Sequence, residues 1–180
     1  MILIYGTASS GKSNIAENMT VSIARESGTE LIYIATMENE SEAAKKRIRA
    51  HRAMREGKGF YTIEEMYKLS IHELSVLNKT VLIECMSNLC ANIYFKKYEG
   101  RVACDEELFL IAREIVDSVK VLMKTAHSIT IVTNDIFSDG TVYDEWTESY
   151  MKLLARVNSE LVKICDDFYE VVNGVIVKHK

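Results

Sequence analysis

Residues 6–13 read GTASSGKS, which is a complete G-x-x-x-x-G-K-S pattern, and they directly follow the apolar run 2–5. This pattern is typical of a loop that turns its backbone N–H groups toward a polyphosphate. Gly6 and Gly11 suit such a loop because they allow backbone angles and close approaches that a side chain would prevent. The apolar run directly before the pattern supports the match, because loops of this type follow a β-strand. The sequence therefore predicts a strand that ends in a phosphate-binding loop.

The residues that close the loop extend this prediction to a nucleotide. In loops of this type the lysine, here Lys12, contacts the outer phosphates, and the hydroxyl of Ser13 binds Mg²⁺. We predict a helix over residues 12–27, whose N-terminal dipole favours the same anion. The loop and the helix together predict binding of a nucleoside triphosphate.

Length and charge limit the classes of protein to which the chain can belong. It has 180 residues and a formal net charge of −4. Since no Pro-, Gly- or Ser-rich linker divides it, we predict a single domain over residues 1–180. A negative chain has no overall attraction to nucleic acid or to an anionic membrane, so we expect no nucleic-acid partner. No apolar run approaches membrane-spanning length and no targeting signal begins the chain, so we expect a cytoplasmic protein without a membrane span.

The cysteines give no sign of a metal site or of disulfide bonds. They lie in apolar or helical contexts, without C-x-x-C spacing. We expect reduced thiols in the core. The four residues are Cys85, Cys90, Cys104 and Cys165.

Short β-rich runs alternate with longer helical patterns along the chain. The runs lack polar alternation, as expected of strands that are covered on both faces in a parallel sheet. Apolar residues recur every three or four positions over residues 108–122 and 146–164, which predicts two amphipathic helices. We therefore predict an α/β fold of three layers with a mostly parallel sheet. The runs are 2–5, 30–35, 80–84 and 128–133.

The end of the chain predicts a β-hairpin. Residues 168–178 contain two β-rich halves around Asn173 and Gly174. Asn-Gly is the dipeptide favoured in type I′ turns. We expect this C-terminal hairpin to add antiparallel strands to the sheet.

A second group of candidate functional residues is basic. Seven of the 22 Lys and Arg residues lie within residues 45–58. If residues 40–55 are helical, Arg47, His51 and Arg55 share one face. Arginine can bind phosphate oxygens bidentately, and a neutral imidazole is a nucleophile toward phosphorus. Because two neighbouring cations disfavour the imidazolium form, we expect a neutral ring near physiological pH. The alternative is a solvated basic helix face with an incidental histidine, and spacing alone favours that alternative.

Beyond the phosphate-binding loop, the chain carries an ordered series of short motifs. Together they resemble the bifunctional adenosylcobinamide kinase and adenosylcobinamide-phosphate guanylyltransferase family of cobalamin biosynthesis, and the resemblance spans almost the whole chain. The motifs are Tyr33-Ile34-Ala35-Thr36, the RIRAHR of residues 47–52, Leu82-Ile83-Glu84-Cys85 with Asn92, Val132-Thr133-Asn134, Arg156-Val157-Asn158, and the GVIVK of residues 174–178.

This resemblance implies a fold, an activity and partners. The fold is that of an α/β P-loop NTPase of the RecA-like type. The family phosphorylates the hydroxyl of the aminopropanol arm of adenosylcobinamide and then transfers GMP from GTP to that phosphate through a guanylyl-histidine. His51 matches the histidine. The implied substrates are GTP, ATP and a corrinoid, the implied cofactor is Mg²⁺, and the implied assembly is a homotrimer.

The resemblance also implies a set of site residues. His51 and Lys12 are the catalytic residues, and Ser13 and Glu84 are the metal ligands. A carboxylate such as Glu84, after an apolar strand, is costly to bury without a cation or donors. Glu64 has an alternative interpretation as an ordinary acid near a helix N-terminus. The implied nucleotide-binding residues are Gly6, Thr7, Ala8, Ser9, Ser10, Gly11, Lys12, Ser13, Ile34, Ala35, Thr36, Arg52, Ala53, Met54, Arg55, Glu64 and Glu84.

The chain departs from the family pattern at two places. Residues 55–61 lack the usual Arg-Pro and tryptophan, and they contain one extra residue. Residues 135–140 lack the usual Glu and Gly-rich stretch, and we expect this segment to face the corrinoid. Two other functions therefore stay open at this point. They are a single-function P-loop kinase, in which His51 only contacts phosphate, and a non-catalytic module that changes partners with its nucleotide. The other histidines, which we interpret as surface or core residues without a ligand role, are His72, His127 and His179.

Overall fold

Seven strands form one sheet in the computed structural model, which describes residues 1–39 and 41–180. Six of the strands run parallel, and the last is antiparallel to its neighbour. The strands are β1 (Ile2–Gly6), β2 (Leu31–Ala35), β3 (Phe60–Glu64), β4 (Thr80–Glu84), β5 (Ser128–Asn134), β6 (Asp167–Val172) and β7 (Val175–Lys178). Their order across the sheet is β3-β2-β4-β5-β1-β6-β7.

Helices cover both faces of this sheet and make three layers. The helices are α1 (Lys12–Ser27), α2 (Glu42–Arg55), α3 (Met86–Lys97), α4 (Asp105–Thr125) and α5 (Glu145–Ile164). One face packs on α1 through a small apolar cluster that includes Ile4 and Ala16. The other face packs on α3, α4 and α5 through a larger cluster that includes Leu3 and Leu153. Neighbouring residues such as Leu3 and Ile4 are thus buried on opposite faces, which explains the unbroken apolar runs.

The structure confirms the α/β fold with a mostly parallel sheet and a C-terminal antiparallel hairpin. The four predicted runs correspond to β1, β2, β4 and β5. One detail was wrong, because β6 pairs in parallel with β1 and only β7 is antiparallel. The helix predicted over residues 40–55 begins at Glu42, and residue 40 lies outside the described residues.

The sequence did not predict strand β3, helix α3 or the short 3-10 helix Leu69–His72, and its expectation for the cysteines was wrong in part. Strand β3 lies at the edge of the sheet and is only half-buried, so it lacks a continuous apolar run. Helix α3 is apolar on most sides and begins one residue after β4, so its pattern merges with that of the strand. All four cysteines are free thiols and three are buried, but Cys104 is exposed at the N-terminus of α4.

The parallel strands end at the same edge of the sheet, and this edge carries the candidate functional residues. In the strand pairing, Gly6 lies beside Asn134, and Ala35 lies between Glu64 and Glu84. The carboxyl edge of a parallel sheet is where such folds bind ligands. No helix of the described residues is both long enough and apolar enough to cross a membrane.

The close contact between the phosphate-binding loop and β6 predicts the effect of a methyl group at Gly6. A Cβ there would lie 2.5 Å from the backbone oxygen of Val171 and 2.8 Å from Ser10 Oγ. Because the first neighbour is backbone and cannot rotate away, we expect Gly6→Ala to lower the free energy of unfolding by about 2–3 kcal/mol in urea titrations. Gly28→Ala is the control, since it has a positive φ but open space and should cost only about 1 kcal/mol. A Gly6→Ala protein as stable as wild type would contradict the contact.

Candidate active site

A cleft of about 540 Å³ opens at the carboxyl edge of the sheet. The phosphate-binding loop forms one side of it and α2 forms the other. Strands β2, β3, β4 and β5 contribute residues at or near their last positions, which include Ala35, Glu64, Glu84 and Asn134. The cleft thus brings the loop and the basic helix, which are far apart in the sequence, to the same space.

The phosphate-binding loop has the backbone that its glycines predict. Gly11 has a φ of 91° at the N-cap of α1, and this residue has no side chain that could cap the first turn of the helix. The N–H groups of that turn are available for an anion. The Lys12 ammonium donates to the carbonyl oxygen of Thr7 at 2.8 Å, and burial lowers the pKa of this lysine. The N–H of Gly174, in the β6–β7 turn, donates to the Ser10 carbonyl at 2.8 Å, so the hairpin supports the loop.

Glu84 accepts hydrogen bonds from three sides of the cleft. The Ser13 hydroxyl donates to Oε1, the Tyr33 hydroxyl donates to Oε2 at 3.0 Å, and His51 Nδ1 lies 3.3 Å from Oε1. The carboxylate is only 7% exposed. Burial alone would raise the pKa of Glu84, but the contacts with His51, Ser13 and Tyr33 outweigh burial and lower the pKa. The ionised carboxylate of Glu84 is therefore stable in the interior, where it can accept hydrogen bonds or bind a cation.

His51 lies against Glu84, and this contact reverses the expected shift of its pKa. The hydrogen bond with Glu84 raises the pKa of the imidazole above its usual range, whereas burial and the neighbouring Arg55 lower it by less. The expectation that the neighbouring cations would favour the neutral ring was wrong in the direction of the pKa shift. The physical reason is that the Glu84 carboxylate, 3.3 Å from Nδ1, favours the protonated ring more than burial and Arg55 disfavour it. With Nδ1 held by Glu84, Nε2 is the nitrogen left for chemistry.

The arginines of α2 lie in two different environments. Arg55 is only 8% exposed, and its guanidinium stacks over the Tyr33 ring at 3.6 Å. Within the described residues it has no carboxylate at ion-pair distance. Arg52 pairs with Glu64 at 2.6 Å, and both of these side chains are more than half exposed. A buried cation without a bound anion differs from the solvated basic face that spacing alone favoured, and it suits a ligand that brings negative charge.

The structure brings most of the expected site residues to the cleft, but not all. Ile34 and Thr36 are fully buried and do not line it. Thr36 instead exchanges hydrogen bonds of 2.7 Å with the backbone of Cys85. Ala53 lines a shallow neighbouring depression. Of the expected residues, those that line the cleft are Ala8, Ser9, Gly11, Lys12, Ser13, Ala35, His51, Arg52, Met54, Arg55, Glu64 and Glu84, and Gly6, Thr7 and Ser10 shape the loop behind them.

Several residues that line the cleft had not been given a role from the sequence, and three of them carry polar groups on β2, α3 or β5. Tyr33 lies under Arg55 and donates to Glu84. Asn88 lies in the first turns of α3, and Asn134 ends β5, with its amide donating to Ser87 Oγ at 2.6 Å. A tyrosine inside an otherwise aliphatic strand was the available signal for Tyr33. Helix α3 was not predicted, so nothing in the sequence drew attention to Asn88.

The remaining histidines lie outside the cleft. His72 pairs with Glu65 at 2.9 Å, and His179 pairs with Glu170 at the same distance. Within the described part of the chain, no group of three or more His, Cys, Asp or Glu side chains could hold a metal ion. A cation in the cleft would therefore need oxygen atoms from a bound nucleotide besides those of the protein.

The contact between His51 and Glu84 predicts a titration. In protein free of divalent ions, we expect the imidazole pKa of His51, followed by NMR, to lie above that of an unperturbed histidine. Glu84→Gln should lower it, because burial and Arg55 then act without the carboxylate. Glu64→Gln is the matched control, since this carboxylate pairs with Arg52 and should leave the His51 titration unchanged. The same His51 pKa in all three proteins would contradict the contact.

Comparison with known proteins finds relatives that match over nearly the whole chain. Residues 2–179 match the family described as cobinamide kinase / cobinamide phosphate guanyltransferase. The chain is 28% identical to the bifunctional adenosylcobalamin biosynthesis protein CobU of Escherichia coli (strain K12), over 100% of this chain and 99% of that protein. It is 25% identical, with the same coverage, to the protein of that name from Salmonella typhimurium. Because the match extends over nearly the full length, this chain belongs to the cobinamide kinase / cobinamide phosphate guanyltransferase family.

Proposed function

We propose that this protein phosphorylates adenosylcobinamide and then transfers GMP from GTP to the new phosphate, with His51 as the covalent carrier. The observation that carries the proposal is the position of His51 in the same cleft as the phosphate-binding loop, 3.3 Å from a carboxylate that also accepts from Ser13. Family membership and the full-length match to two bifunctional relatives support both half-reactions. The product is adenosylcobinamide-GDP.

The first half-reaction moves the terminal phosphoryl group of ATP or GTP to the aminopropanol hydroxyl. The bond between the terminal phosphorus and its bridging oxygen breaks, a bond to the substrate oxygen forms, and the hydroxyl proton passes to water. Lys12 and the N–H groups at the start of α1 neutralise charge on the phosphates. Positioning and electrostatics supply most of the rate, and no covalent enzyme species is needed.

The second half-reaction passes through a phosphoramidate. In the neutral form of the ring, which carries its proton on Nδ1, Nε2 of His51 attacks the α-phosphorus of GTP, and pyrophosphate leaves with the bridging oxygen. The phosphate of adenosylcobinamide phosphate then attacks the same phosphorus, the N–P bond breaks, and the ring is regenerated. Glu84 holds Nδ1, which fixes the ring and makes its other nitrogen more basic. Two steps suit this transfer because a phosphate is a weak nucleophile and a histidine-bound phosphorus is activated.

The basic side chains of α2 complete the nucleotide site in this proposal. Arg55, buried and without a carboxylate partner in the described residues, offsets charge on the α-phosphate during guanylyl transfer. Arg47 and Arg52 line the same cleft and assist in the same guanylyl transfer. Glu64, at the end of β3, is placed to accept hydrogen bonds from the guanine or ribose.

Mg²⁺ is part of the proposal, and the residues present fit it. Ser13 Oγ and Glu84 Oε1 converge closely enough to hydrogen-bond, and both are the hard oxygen donors that this ion prefers. Bound there together with phosphate oxygens, the ion would supply further charge neutralisation. We also propose that residues 135–140 face the corrinoid and that the chain acts as a single domain in a cytoplasmic homotrimer.

Labelled GTP tests the proposed function directly. Wild-type protein incubated with GTP labelled at the α-phosphate should retain label after denaturation, and the label should be lost in acid and kept in base. Label at the γ-phosphate should instead appear in adenosylcobinamide phosphate. A protein that carries no α-label but makes adenosylcobinamide phosphate would be a single-function kinase. Slow hydrolysis of GTP without either transfer would indicate a nucleotide-controlled binding module.

A further inference from the structure

An ion pair in the interior joins α1 to the turn that follows α2. Lys58 Nζ lies 2.7 Å from Glu17 Oε2 and 3.4 Å from Asn18 Oδ1. The Glu17 side chain is 0% exposed and that of Lys58 is 23% exposed. Lys58 stands between Gly57 and Gly59, which both have positive φ. The tight turn therefore directs a charged side chain into the protein, one helical turn beyond Ser13 on α1.

Helix α2 has few other attachments to the rest of the protein. Arg55 is its only buried residue. Under the proposed function, the side chains that attach it are also the ones that engage the nucleotide, so they cannot fix the helix independently of the ligand. These attachments join His51 to Glu84, Arg52 to Glu64, and Arg55 to the Tyr33 ring.

The pair between Glu17 and Lys58 differs from those attachments because neither side chain lines the cleft. Burial of this charged pair also costs free energy. Burial raises the pKa of Glu17 while Lys58 opposes the shift, and Oε1 of Glu17 is buried without a hydrogen-bond partner among the residues that the structure describes. A buried ion pair adds little net stability compared with apolar residues of similar size. Its consequence for this protein is the position that it imposes on the end of α2.

We propose that Glu17 and Lys58 are positioning residues for guanylyl transfer. They hold the C-terminal end of α2 against α1, so that His51 stays within reach of the α-phosphorus while the nucleotide engages the other contacts of the helix. The inference rests on the proposed function. It concerns the half-reaction that uses His51, whereas the phosphoryl transfer relies on Lys12 and Glu84, which belong to the loop and the sheet.

The double variant Glu17→Gln/Lys58→Met tests this role without leaving an unpaired buried charge. At saturating GTP, formation of α-labelled protein in a single turnover should slow by about 10- to 100-fold, because small displacements of a nucleophile have effects of this size. Between the double variant and wild type, the kcat and KM of adenosylcobinamide phosphorylation should differ by less than about threefold. The single variant Lys58→Arg keeps the ion pair and should label at close to the wild-type rate. Lys120→Met, at an exposed pair with Asp117, is the control.

The outcomes separate this inference from the proposed function. Labelling of the double variant at the wild-type rate would overturn the inference while leaving the proposed function intact. Equal losses of labelling and phosphorylation, in parallel with a lower Tm, would also overturn it, because the pair would then be only structural. A wild-type protein that never acquires α-label would contradict the proposed function itself. The supporting result is slower formation of α-labelled protein in the double variant only, with phosphorylation unchanged and with Lys58→Arg close to wild type in both.

Discussion

His51→Asn is expected to lose guanylyl transfer while it keeps phosphorylation. Asparagine is close in size, and its amide can still donate a hydrogen bond toward Glu84, but it has no nitrogen that can attack phosphorus. Formation of α-labelled protein and of adenosylcobinamide-GDP should fall by at least about 10³-fold, as expected when a covalent nucleophile is removed. Transfer of the γ-phosphoryl group to adenosylcobinamide should persist, because that step does not use the ring.

The matched control for this variant is His72→Asn, which removes a histidine that also pairs with a carboxylate but lies outside the cleft. It should retain label and both products. If His51→Asn still acquired α-label with the same acid sensitivity, another residue would be the carrier. If it lost phosphorylation as completely as guanylyl transfer, His51 would be a shared phosphate contact and not a dedicated nucleophile.

The sequence predicted the parts of the fold and of the site that short segments determine. The loop at residues 6–13 carries its own geometry in Gly6 and Gly11, and the apolar runs of a doubly covered sheet are visible without knowledge of their neighbours. The stripe of α2 follows from helical periodicity, and the structure places it on the cleft. Strand β3 was not predicted because an edge strand needs only partial burial, which leaves a mixed pattern.

The electrostatics of the site could not be predicted from the sequence because they depend on contacts between distant segments. The expectation of a neutral His51 used only its neighbours on α2, whereas the largest influence on its pKa is Glu84 at the end of β4. In the same way, Tyr33 becomes part of the site only when Arg55 stacks on it from another element. The pairing of Glu17 with Lys58 likewise joins two segments that no local pattern connects.

Glu84→Gln is expected to impair both half-reactions, in contrast to His51→Asn. Glutamine keeps the size of the side chain but loses the negative charge. The ionised carboxylate contacts Ser13, Tyr33 and His51 and would also bind a cation. Both transfers use phosphates of a nucleotide bound at the same loop, so loss of this charge should lower the kcat of each by about 10²- to 10³-fold.

A comparison with Tyr33→Phe separates the carboxylate from its surroundings. Phenylalanine keeps the ring under Arg55 and removes only the hydroxyl that donates to Oε2 of Glu84. Since the charge stays in place and keeps its contacts with Ser13 and His51, each activity should fall by only about tenfold, the lower end of the effect of losing one hydrogen bond to a charged group. Full phosphorylation by Glu84→Gln would mean that Glu84 serves only to hold His51. A combined loss in Glu84→Gln and a selective loss in His51→Asn would together establish one phosphate site that supports two transfers, of which only the second passes through the histidine.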